Sequence, residues 1–213
     1  MQTHDAPPTD HFQPTLLRVL AYYTIASCVI FPISIFIADW VVPNHDWIAD
    51  TISDLGAGRY EYIVDIGLYT FSAGLIATAL MAAHVHLGTW DWSIGILCLA
   101  ALGLIVFLIG ARNEYGDNDN EGVVIHYYLV YALGAFMAAT PVLLMRGASA
   151  VDRAYGKTLG AIACVWAVSA PIFFTLPTDI DGIYERYLGV ISFVMLLTLA
   201  RLFLLQAKRR RDT

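Results

Sequence analysis

The sequence predicts an all-α integral membrane protein: six helices crossing a bilayer, with the N- and C-termini on its cytoplasmic side. Three observations carry that expectation. The chain of 213 residues is 58% apolar and only 14% charged, against about 25% charged in soluble domains. Its apolar residues gather in stretches of the ~20 that a helix needs to cross the hydrocarbon core. Its lysines and arginines favour one end of the resulting bundle.

Residues 1–14, MQTHDAPPTDHFQP, form a polar, proline-rich tail unlike a signal peptide. Residues 15–206 make the six-helix domain, and 207–213 a basic tail. The spans lie near 16–40, 63–86, 92–112, 124–145, 157–177 and 184–205. They must be helices, because an open strand cannot satisfy its backbone polar groups in lipid. Pro32, Pro141 and Pro171 fall within spans and are expected to bend them. Trp40, Trp47, Trp90 and Trp92 are expected at the membrane interfaces. The segment from Leu87 to Asp91 is too short for anything but a tight hairpin.

Direction follows from the basic residues. With both termini on one side, that side holds Arg18, Arg146, Arg153, Lys157, Lys208, Arg209, Arg210 and Arg211, while the other holds Arg59, Arg112 and Arg186. Arg201 reaches from the sixth span toward the basic tail. The positive-inside rule then sets both termini in the cytoplasm of a cell-membrane protein. Thirteen of the eighteen carboxylates, with His45 and His126, fall at the opposite, outward face.

Several functions lose support. The only basic cluster is the terminal KRRR, so no nucleic-acid partner is expected. Cys28, Cys98 and Cys164 lie in apolar runs, which argues against a disulfide framework. His84 and His86, two residues apart, point about 200° from each other on a helix and cannot share a metal. They also lie roughly 25–30 Å from His126, so no bis-histidine haem pair follows. Residues 115–122, YGDNDNEG, open like a calcium loop, but its twelfth position is Tyr128. No metal site is assigned, and no cofactor is named.

The polar loop before the second span supplies the candidate site. Ser53 and Asp54, with His126 about one turn into span four, are the types that nucleophilic catalysis requires: hydroxyl, carboxylate and imidazole. The competing reading is that Ser53 or Asp54 caps a short helical turn, with Gly56 and Gly58 permitting positive φ. No G-x-S-x-G elbow surrounds Ser53. Arg59, Arg112 and Arg186 fall near Glu61, Asp65 and Glu185. Salt bridges tying the bundle together are favoured there; the alternative leaves one arginine to clasp a lipid phosphate.

The runs TISDLGAGRYEY, IVDIGLYTFSAGL and HYYLVYALGAF resemble the prokaryotic membrane-protein family called domain of unknown function 998 across all six spans. Ile52, Ser53, Asp54 and Gly56 also resemble a motif of the superfamily containing the damage-regulated autophagy modulators and the GPI-anchor remodelling protein. There the motif's proline and aromatic are Asp50 and Thr51 here, and its threonine is Leu55. The resemblance implies a six-helix membrane protein connected with lipid handling.

The resulting expectation is an outward-facing site for lipid headgroups at the bilayer surface. His126 would be base or ligand, Asp54 would orient it, and Arg186 would hold a phosphate. Arg112, Glu185 and Asp65 would complete the binding groups, with membrane lipids as partners. A non-enzymatic scaffold or a small-solute permease are the rivals, and a homo-oligomer is compatible with either.

Overall fold

The computed structural model describes residues 12–111 and 125–209. Six of its helices are long and apolar enough to cross a membrane. They are α1 (Pro14–Val41), α3 (Glu61–Val85), α4 (Trp90–Ala111), α5 (Ile125–Val151), α6 (Arg153–Phe173) and α7 (Asp181–Arg209), with a one-turn helix α2 (Ile52–Leu55) after the first. The chain is therefore a helical, multi-span membrane protein, and no strand occurs among the described residues.

Each long helix packs on its neighbours in chain order, and α7 closes the ring against α1 while reaching α3 and α5. An even number of crossings puts Pro14 and Arg209 at one end of the bundle. The other end carries α2. Small residues allow the closest approach, as they do wherever helices meet in lipid. Thr24, Ser27 and Ser34 of α1 meet Thr78, Gly74 and Gly67 of α3 in antiparallel order. The Thr24 hydroxyl donates to the Gly74 carbonyl at 3.3 Å, and Ser27 and Ser34 turn theirs back onto Thr24 and Phe31. A side chain at Gly74 would collide with Ser27. Gly74→Leu is expected to cost about 1–3 kcal/mol through this overpacking, read as a lower melting midpoint of the detergent-purified protein; an unchanged midpoint would refute the seam.

Three features differ from expectation. Trp92 is no interface anchor: it is fully buried, and its indole N–H donates to the Ala82 carbonyl at 2.8 Å. A buried tryptophan needs such a partner, and the C-terminal end of α3 offers one where His86 turns the chain in a left-handed conformation, φ 42°. Gly147 of α5 lies against the same ring. The basic segment before span five is helix, not loop. α5 runs to Val151, α6 starts at Arg153, and Asp152 alone joins them, its carboxylate accepting the Ala154 N–H at 2.8 Å. Both helices outrun the apolar stretch because their charged ends carry Arg146, Arg153 and Lys157. Gly56 does not need a positive φ, since its φ is −77°; Gly58 does, at 97°.

Toward the end that carries both termini the interior is solid. Leu144, Leu159, Met195, Leu196, Leu199 and Phe203 are all completely buried.

Candidate functional site

The loop between α1 and α3 folds down onto the start of α7. Asp46 begins it as a local cap: its carboxylate accepts the N–H groups of Ile48 and Ala49, at 2.8 and 3.3 Å. Those two donors hold its carboxyl below the usual carboxylate range. Ile183 then donates its N–H to the Ile48 carbonyl. Gly182 sits so close to the Asp50 carbonyl that a Cβ there would meet backbone.

Arg186 completes the clasp. It is 9% exposed, and its Nη1 donates to the Asp50 carbonyl at 2.9 Å and to the Gly182 carbonyl at 2.8 Å. Its guanidinium plane lies 4.0 Å from the Trp47 ring centre, and Phe36 stacks against Trp47 at 5.0 Å. Carbonyls and a ring hold this arginine in place of the salt bridge expected from sequence. Trp47, expected at the interface, is the filling of that sandwich. Nε and Nη2 of Arg186 are buried without a hydrogen-bond partner among the described residues.

With the loop fixed, α2 has no freedom. Thr51 and Asp54 form a reciprocal capping box: Asp54 accepts the Thr51 N–H and hydroxyl, each at 2.7 Å, and the Asp54 N–H returns to Thr51 Oγ1 at 3.1 Å. Glu185 accepts the Ile52 N–H at 2.6 Å. Ile52 and Leu55 drive into the core. Ser53 is thereby turned inward, and its Oγ lies 3.2 Å from Nε2 of His126 on α5.

The structure thus brings Ser53 and His126 together and puts Glu185 on the same cavity. Asp54 points the other way, to Thr51, so it caps the helix instead of orienting the imidazole. Arg186 serves the loop. Asp65, in the second turn of α3, is half-buried, with one carboxylate oxygen lacking a partner among the described residues. Arg59 is exposed and sits over Tyr60. Arg112 and the acidic run 115–122 lie outside the described residues. Among those described, no group of three metal-ligating side chains forms. His84 instead accepts the Gln13 N–H at 2.8 Å, and His86 contacts Ser93.

Ser53, His126 and Glu185 stand at one end of a cavity of about 160 Å³ that all seven helices line. Below them its walls are apolar, with Leu133, Trp166, Phe173, Leu188 and Phe193 among them. Trp166 turns its indole N–H aside, onto the Gly134 carbonyl at 2.9 Å, and offers the cavity only its ring. The lining runs eight residues along α5, from His126 to Gly134, or about 12 Å at ~1.5 Å per residue. Hydrocarbon spans about 30 Å, so the cavity occupies the half of the bundle nearer α2.

Sequence reasoning did not find Gly134 and Gly189, which line this cavity. A Cβ at either would meet nothing within 4 Å, whereas Gly67, Gly95, Gly103 and Gly147 are all jammed against neighbours. Glycine within a helix costs about 0.5–1 kcal/mol against alanine, and alanine would fit here. Packing explains neither glycine. Open space does.

No curated protein and no solved structure matches the chain. One family does match it, over residues 25–202, and those residues hold all six apolar helices in whole or in large part. The chain is a multi-span membrane protein belonging to the family described as protein of unknown function, DUF998.

Proposed function

We propose that this protein acts on, or holds, the polar part of a membrane lipid at the outward face of the cell membrane, with Ser53, His126 and Glu185 as the contact groups. One observation carries the reading: a serine and a histidine within hydrogen-bond reach, 3.2 Å apart, at the polar end of an apolar cavity. The excess of lysine and arginine at the other end of the bundle supports an outward orientation. Membrane lipids are the compounds that present an ester or hydroxyl at this depth beside hydrocarbon.

In the enzymatic form of this proposal His126 is neutral and protonated on Nδ1, leaving Nε2 to accept the Ser53 proton. Ser53 Oγ attacks a lipid ester carbonyl carbon. The ester C–O bond breaks as the leaving alcohol takes the proton from His126, and water then releases the acyl group by the same route. Glu185 lines the same cavity, its carboxylate accepting the Ile52 N–H at 2.6 Å.

Turnover of defined lipids by the bilayer-reconstituted protein tests it. Ser53→Ala and His126→Ala are each expected to lower turnover at least about a hundredfold, the usual scale for a positioned acid–base group, with melting midpoints held. Lipids left intact by the unsubstituted protein would defeat the enzymatic form. A non-enzymatic scaffold is the second reading, favoured by Asp54 and Arg186 both being committed to loop structure. It expects equal lipid binding by all three proteins.

A further inference from the structure

We infer that the cavity receives the hydrocarbon end of an amphiphile tail-first, its polar end beside Ser53 and His126, and that Gly134 and Gly189 set how much of the chain is admitted. This rests on the lipid reading above and adds the ligand's class and posture.

The division of the lining is what orients the ligand. Its polar side chains Ser53, His126 and Glu185 stand together at one end. The fourth, Ser192, donates its hydroxyl to the Leu188 carbonyl at 3.2 Å and so presents little polarity. The remaining wall is aliphatic and aromatic. A headgroup lodged there would lose its hydration without recovering hydrogen bonds, while a hydrocarbon segment loses nothing. Size limits the segment: an apolar cavity of about 150 Å³ holds one benzene-sized group, so a short stretch of chain fills it. The two glycines face that volume from different helices, one on α5 and one on α7, with open space where their side chains would stand. A Cβ at either would meet no neighbour, so a larger residue there takes its space from the volume open to the ligand.

The experiment uses the full chain in lipid nanodiscs with two photoactivatable probes. One is a short-chain fatty alcohol carrying a diazirine at its tail. The other is a phosphatidylcholine with the diazirine on its acyl chain, so the pair separates a free amphiphile from a bilayer lipid as the source. Cross-links are expected on Leu133, Leu188 and Ser192 with at least one probe. Gly189→Leu should reduce them at least tenfold, and Gly189→Ala by a smaller factor should the leucine variant fold poorly. Labelling of lipid-exposed Leu97 and Val168 serves as the internal standard and should not change. Cavity residues left unlabelled by both probes, or labelled equally in both glycine variants, overturn the tail-first posture even if Ser53→Ala abolishes lipid turnover. Cavity labelling that Gly189→Leu blocks, but Ser53→Ala and His126→Ala leave untouched, upholds the chain site and overturns the assignment of its polar end.

Discussion

Arg186→Ala is expected to lower the stability of the protein by about 3–5 kcal/mol. The side chain donates to two backbone carbonyls, on Asp50 and Gly182, and hydrogen bonds from a charged donor contribute about 1.5–3 kcal/mol each. Its stacking on Trp47 adds about 0.5–2 kcal/mol. Without it the Asp50 carbonyl loses a donor, and Trp47 keeps only Phe36 on one face. Lysine is a poor substitute: it reaches one carbonyl but has no plane to lay on the indole. Arg186→Lys should recover less than half of the loss. At ~2–4 °C per kcal/mol for a chain of this size, the alanine variant should melt about 6–20 °C lower in detergent. Protease cleavage between residues 42 and 51 should quicken with it. A variant that melts normally and resists cleavage would show that the loop is held by something else.

Gly182→Val is expected to be comparably damaging, at about 3 kcal/mol or more, for a steric reason. The glycine lies against the carbonyls of Asp50 and Ile48, so a new side chain meets main chain, which cannot rotate aside as a side chain does. Overpacking of this kind typically costs about 1–3 kcal/mol, and more where the neighbour is rigid. The displaced segment contains the acceptor for Arg186 and leads directly into α2, so Ser53 should leave His126. A lowered melting midpoint, together with loss of the Ser53-dependent lipid turnover proposed above, is the expected pair of results. A Gly182→Val protein that keeps both would disprove the close docking of the loop on α7.

These two residues illustrate how far the sequence could be read. The spans followed from hydropathy, because lipid leaves helices little alternative. Ser53 and His126 stood out as chemistry inside an apolar chain, and geometry joins them. The capping box was also legible in principle, as Thr51 followed three residues later by Asp54 just before a buried leucine. Sequence reasoning offered Asp54 both as a cap and as a catalytic group; the cap is what the structure shows, with Thr51 as the partner it had not named. Glu185 on the Ile52 N–H and Arg186 on the Asp50 carbonyl left no local trace: the partners lie 133 and 136 residues apart, and nothing in a hydropathy pattern pairs them. Charge counting favoured salt bridges for Arg186, but carbonyl groups bear no formal charge and are invisible to such counting. Gly134 and Gly189 looked like every other small residue of a helix seam. Only coordinates separate a glycine that is pressed from one that faces a void.

The same long separations bear on how the molecule is made. Ser53 leaves the ribosome early, yet the groups that pin its loop, Gly182, Glu185 and Arg186, belong to the last crossing to be synthesised. Until then Asp46 and Asp54 can make only their local caps, nothing docks the loop on the bundle, and the interior lacks one wall. A chain stopped before residue 181 would lack Glu185, Leu188, Gly189, Ser192 and Phe193 from the wall of the cavity.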